Sequence, residues 1–148
     1  MSISNNMLKV IMKSVGCLKM TISGTSMLPI INDGDNIHIE IADIYDVGDI
    51  LLFYYGNYAL AHRLIKKVEN VYFCKGDNTF KIEDIEYDQI IGKVVFISSS
   101  KYCYPPPPRD KRFYELSWKI GQSYMESGLD YHAVVTTPIF TEYKNNYL

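Results

Sequence analysis

The sequence predicts a mainly β fold: a coiled antiparallel sheet or partial barrel, with a short helix at the start and another near the end. Three observations carry this expectation. Short runs rich in Ile, Val, Leu, Tyr and Phe recur through the first two thirds of the chain. Turn-forming clusters separate them, at Asn32-Asp33-Gly34-Asp35, Asp46-Val47-Gly48-Asp49, Gly56-Asn57 and Gly76-Asp77-Asn78. Their close spacing argues for antiparallel pairing rather than βαβ units.

Taken in order, Asn5 to Gly16 places Met7, Leu8, Ile11, Met12 and Val15 at helical spacing. Ser4 or Asn5 can cap this amphipathic helix, and Gly16 ends it. Leu18 to Ser23 then alternates apolar and polar residues as a half-buried strand does, and Gly24 to Pro29 breaks the alternation. Further strands are expected over Asn36–Ile41, Asp49–Tyr55, Tyr58–Val68, Val71–Lys75 and Ile90–Ile97. Gly56-Asn57, between two aromatic runs, reads as a hairpin loop.

The character of the chain changes after Ile97. Ser98 to Ser100 leads to Pro105–Pro108, a stiff polyproline run that cannot continue a sheet. Arg109 to Ser127 carries Phe113, Leu116, Ile120 and Tyr124 at helical steps, with Gly128 at the end. Leu129 to Leu148 follows no single pattern. The expected organisation is a sheet domain over residues 1–97, a Ser/Pro-rich connector over 98–108 and a helical extension over 109–148.

Composition narrows the function. With 148 residues, 47% hydrophobic and 22% charged, the chain can bury a core and fits one globular domain. A net charge of −2 supplies no broad basic surface, which sets nucleic acid aside as a main partner. Three cysteines at unrelated spacings form neither a disulfide framework nor a metal site, and no metal or organic cofactor is implied. The apolar run from Met7 to Met20 is interrupted by Lys9, Lys13 and Lys19 and falls short of the roughly 20 apolar residues of a span. It also lacks the build of a secretory signal. The expectation is a soluble, cytoplasmic protein, whose only membrane role would be peripheral contact.

Chemistry concentrates in three segments. Gly24-Thr25-Ser26-Met27-Leu28-Pro29 presents a serine just after a strand. Alone it reads as an ordinary turn, because a serine hydroxyl needs a neighbouring base before it attacks a carbonyl. Of three histidines, His38 alternates with Ile37 and Ile39 and faces away from them, and His132 lies in the unpatterned tail. His62 sits in a largely apolar strand, and an imidazole, with a pKa of about 6.5, is the side chain best suited to general-base work at neutral pH. Asp77 lies in a good turn and Asp84 seven residues further on; a carboxylate near a histidine would fix its tautomer.

In order and context these segments resemble the boxes of the type I signal peptidases, within the superfamily that includes LexA-like self-cleaving proteins. Ser26-Met27-Leu28-Pro29 resembles the Ser-Met-x-Pro box. Asp33-Gly34-Asp35 and Gly48-Asp49-Ile50-Leu51-Leu52-Phe53 are similar to the Gly-Asp elements that follow it, and Lys75-Gly76-Asp77-Asn78 with Ile91-Gly92-Lys93-Val94 to the closing boxes. The likeness covers Leu18 to Ile97. It implies a serine endopeptidase with Ser26 as nucleophile and the residue in the Ala61-His62-Arg63 box as base. Most bacterial members carry lysine there; His62 resembles the endoplasmic-reticulum and archaeal type, in which serine and histidine work with an aspartate. The resemblance favours Asp84 as that acid, at the spacing of the bacterial box, with Asp77 second. Met27, Pro29 and Phe53 would wall a groove that takes substrate as an added strand.

Two departures shape the expectation further. Many members have a serine two residues before the nucleophile, where this chain has Gly24, so the oxyanion would rest on the Ser26 N–H and one other donor. Without a membrane anchor, the likeness points to a cytosolic enzyme that trims the leader of a small peptide or cuts another specific peptide or protein. The alternatives are a catalytically idle member that binds a peptide in the same groove, and a self-cleaving regulator cut near Tyr131-His132-Ala133-Val134.

Overall fold

A computed structural model describes residues 5–148, with side chains from Met7 onward; Ser4, weighed as a helix cap, lies outside the described residues. The first helix, α1 (Asn5–Val15), lays Leu8 and Met12 into the core. It closes where the Gly16 N–H donates to the Met12 carbonyl, with Gly16 at φ 81, the left-handed stop expected of glycine.

The strands are β1 (Cys17–Thr21), β2 (Asn36–Glu40), β3 (Ile50–Tyr55), β4 (Tyr58–Val68), β5 (Val71–Lys75), β6 (Ile82–Glu86), β7 (Ile90–Ser98) and β8 (Cys103–Tyr104). They form one antiparallel sheet in the order β1-β2-β7-β3-β4-β5-β6, with β8 paired to the end of β7. Mainly antiparallel β with helices at both ends is therefore the architecture, as the sequence predicts. Bulges in the β2–β7, β3–β7 and β4–β5 pairs bend it.

Both faces of the central strands are covered, which is why β3 reads as an unbroken apolar run. Ile50, Leu52 and Tyr54 join Ile37, Ile39, Ile91 and Val94 beneath α1. Leu51 and Phe53 face the other way, against Leu64, Tyr72, Cys74 and Ile85. The same alternation runs through β4 and sends His62 and Arg63 to opposite faces.

The structure differs from expectation at three places. Ile82–Glu86 is a strand, β6, although three of its five residues are acidic and disfavour strands; Ile85 and Glu83 both find buried partners on β5 and β4. The connector is not wholly free of the sheet, since Cys103–Tyr104 adds β8 and the Tyr104 hydroxyl donates to the Ile30 carbonyl at 2.6 Å. Beyond it lie three helices instead of one, α2 (Lys111–Glu126), α3 (Tyr131–Val135) and α4 (Pro138–Tyr147). Asp110, Asp130 and Thr137 cap their starts by accepting backbone N–H bonds. Phe113, Leu116, Ile120, Val134 and Tyr143 make their shared core. At Gly121, α2 touches the sheet: a Cβ there would stand 2.1 Å from Ile82 Cδ1.

Candidate active site

The site is built around two adjacent residues of β4. On one face His62, 6% exposed, brings Nδ1 to 3.1 Å from Glu83 Oε2, itself 3% exposed. Register explains the meeting: Leu64 pairs with Cys74 and Cys74 with Glu83, so Glu83 lies on His62's face two strands away. With Glu83 ionised, Nδ1 carries the imidazole proton and Nε2 is left as the basic nitrogen. The Phe53 ring meets the imidazole edge-on, centroids 6.1 Å apart.

The carboxylate beside the histidine is thus Glu83, not Asp84. Strand side chains alternate, so adjacent residues cannot share a face; Asp84 is exposed on the far side, in a groove with Phe73, Trp118 and Met125. Asp77 does not orient His62 either. Arg63 holds both its carboxylate oxygens, Nε to Oδ1 and Nη2 to Oδ2, each at 2.9 Å, with both side chains 1% exposed. Burial acts to lower the Arg63 pKa, but the bonds to Asp77 and its charge outweigh it and hold the guanidinium above its ordinary value. Arg109 Nη2 adds a second cation 3.7 Å from Asp77 Oδ2.

Lys75, the cross-strand partner of Arg63, is fully buried, and burial lowers its pKa from 10.5 to about 8. Its Nζ donates to the carbonyls of Gly76 and Thr79 at 2.9 and 2.7 Å, tying the turn after β5 from beneath. Cys74 lies beside Glu83; burial first and that carboxylate second push its thiol up, so it stays protonated.

Ser26 sits half-buried in the loop after β1. Gly24 adopts φ 100, which L residues rarely take, and its N–H donates to Asp33 Oδ1 at 2.7 Å. A serine at that position would be strained, a local reason for the glycine. The Leu28–Pro29 peptide is cis. The Asn78 N–H donates to the Ser26 carbonyl at 2.9 Å, and Asn78 Nδ2 to the Thr25 carbonyl at 3.1 Å. Gly76 permits this approach, because a Cβ there would lie 2.7 Å from the Ser26 carbonyl oxygen. Gly76 directly follows Lys75, which pairs with Arg63 next to His62, so the turn that grips the serine loop begins beside the histidine strand. Among the described residues neither the Ser26 hydroxyl nor its N–H has a hydrogen-bond partner, and none joins Oγ to His62. Hydrogen bonds of this kind often tighten only when substrate arrives.

The expected groove walls fare differently. Met27 and Phe53 are 2% and 0% exposed and belong to the core, so neither can line a substrate groove; Pro29 alone of the three faces solvent. His38, as expected, turns away from buried Ile37 and Ile39, 3.0 Å from Ser98 Oγ, and His132 is exposed in α3. Sequence reasoning missed Glu83; its signal was Ile85, since a buried residue in a strand draws its i−2 neighbour to the same face. Among the described residues no group of three or more His, Cys, Asp or Glu side chains is placed to hold a metal, and no helix is long and apolar enough to cross a membrane.

The family model described as Peptidase S24-like matches residues 2–95, the part of the chain that carries Ser26, His62 and Glu83. No curated protein matches the chain.

Proposed function

The chain belongs to the Peptidase S24-like family, and we propose that it is a serine endopeptidase of signal-peptidase type, with Ser26 as nucleophile and His62 as general base. The observation that carries this reading is the buried His62–Glu83 pair, in the strand whose next residue, Arg63, clamps the turn that grips the Ser26 loop. Glu83 occupies Nδ1 and so leaves Nε2 to take the Ser26 proton as Oγ attacks a peptide carbonyl. The unpartnered Ser26 N–H is available to the oxyanion that forms. His62 then gives its proton to the leaving amine, an acyl-enzyme remains, and water returns through the same base to release it. Glu83 is a positioning residue: it steadies the imidazolium and touches no substrate. A peptide or protein segment with an extended cleavage site is the proposed substrate, and the cytosol the proposed setting.

The test is labelling by a serine-directed acylating probe, read by intact mass, on wild type beside Ser26→Ala and His62→Ala. One adduct on wild type and none on either variant is expected. Equal behaviour of all three would leave a peptide-binding module as the better account, a reading favoured by the missing hydrogen bond between Ser26 and His62. Self-cleavage near Tyr131–Val134 has less support, because that segment is helical and Val134 is fully buried, whereas a protease needs an extended strand.

A further inference from the structure

Arg109 and Tyr143 lie beyond the residues matched by the family, yet both converge on Asp77. The Tyr143 hydroxyl donates to the Asp77 backbone carbonyl, and Arg109 stands by its carboxylate. Tyr143 is 1% exposed in the core of α2–α4. Its ring also lies under Lys75, with Nζ 5.2 Å from the centroid. The Arg109 guanidinium is stacked over Phe113, 4.9 Å from its ring, and its buried Nε and Nη2 have no hydrogen-bond acceptor. The Asp77 charge and the Phe113 and Tyr147 rings, rather than a directed bond, hold Arg109 in place.

Asp77 in turn has every polar group engaged. Its carboxylate is taken by Arg63, its carbonyl by Tyr143, and its N–H points to Met27 Sδ at 3.4 Å. Met27 follows Ser26, and Asn78, the next residue after Asp77, grips the carbonyls of Thr25 and Ser26. Any displacement of Asp77 passes directly to both anchors of the serine loop.

We infer that Arg109 and Tyr143 are positioning residues for Ser26, through which the C-terminal helices set where the nucleophile stands. The inference rests on the serine-protease reading above. His62 is placed from one side by Glu83 of β6, and Ser26 from the other by the helices. Arg63 of β4 shares the hold on Asp77, so the two supports meet in the strand that carries His62.

The experiment uses the full chain with Tyr143→Phe, Arg109→Gln, Arg109→Lys and Ile139→Ala. Ile139 packs in the same helical core but has no hydrogen bond or ion pair to Asp77, so its variant reports loosened packing with the polar anchor left in place. Two quantities are read on the folded fraction: the second-order rate of Ser26 acylation across pH, and hydrogen exchange at the Asn78 amide. Tyr143→Phe and Arg109→Gln are expected to slow acylation about tenfold at every pH, without changing the shape of the profile. Asn78 exchange should rise about tenfold while the amides of β3 and β4 keep their protection. Arg109→Lys should recover most of the Arg109→Gln loss, and Ile139→Ala should melt earlier yet acylate at the wild-type rate. Wild-type values for both Tyr143→Phe and Arg109→Gln would overturn the inference. So would losses in all variants, Ile139→Ala included, that track thermal stability. Should wild type fail to acylate, the protease reading falls on its own. Raised Asn78 exchange in Tyr143→Phe would then still support the anchor, and unchanged exchange would overturn it too.

Discussion

His62 and Arg63 are adjacent in β4 and each meets a buried carboxylate, but the two pairs are built for different work. Arg63 and Asp77 meet through a two-bond fork, both 1% exposed, and a guanidinium keeps its charge at any physiological pH. Nothing about that pair can change during a reaction, and its role is to hold the Gly76–Asn78 turn. His62 and Glu83 meet through one bond, and one imidazole nitrogen remains uncommitted. In the proposed reaction that nitrogen meets Ser26 while the bond to Glu83 stays made. A strand that alternates faces thus puts a permanent clamp and a titratable group within one residue of each other, and keeps them from interfering.

Breaking the clamp should have the largest effect. Asp77→Ala leaves Arg63 and Arg109 buried without their anion, at an expected cost of about 3–5 kcal/mol in a urea titration. A loss below about 1 kcal/mol would show that water reaches the pair. Breaking the other pair should affect chemistry more than stability. Glu83→Gln is expected to slow Ser26 acylation on the order of 10³-fold, whereas Asp84→Asn, on the exposed face, should leave the rate unchanged. The reverse ranking would restore Asp84 as the orienting acid. The smallest effect concerns Lys75, which lies beside the clamp. A lysine lowered from 10.5 to about 8 binds its proton less tightly folded than unfolded, so the penalty is fully present below pH 8 and is relieved as pH rises toward 10.5. Stability should climb by about 2 kcal/mol between pH 7 and 9.5, and Lys75→Met should lack that climb. Parallel pH curves for the two chains would show that Lys75 stays charged when folded.

Much of this could be read from the residues alone, and for physical reasons. Strands such as Tyr58–Val68 and Val71–Lys75 were legible because their turns are strong and their apolar content high. The proposed Ser26 and His62 stood out in the sequence because short local boxes surround them. Glu83 was not, because an acid-rich strand exists only by virtue of its partners, and spacing along the chain favoured Asp84. Nor could the groove walls be read, since Met27 and Phe53 look alike in sequence whether they line a cleft or fill a core. The short helices α3 and α4 had signals at Asp130 and at Thr137-Pro138, but helices of five and ten residues show too little periodicity to declare themselves. The bond from Tyr143 to Asp77 spans 66 residues, and no local pattern encodes it.

The strand that carries Glu83 ends the sheet and has a neighbour on one side only. Edge strands fray at temperatures that leave central strands intact. Such fraying would part the histidine from its carboxylate while β3, β4 and β7 remained folded. Heat would then end the proposed acylation before it melts the protein, and cooling would restore it without refolding. The seat of α2 on Ile82, made close by the absence of a side chain at Gly121, backs this edge strand against such fraying.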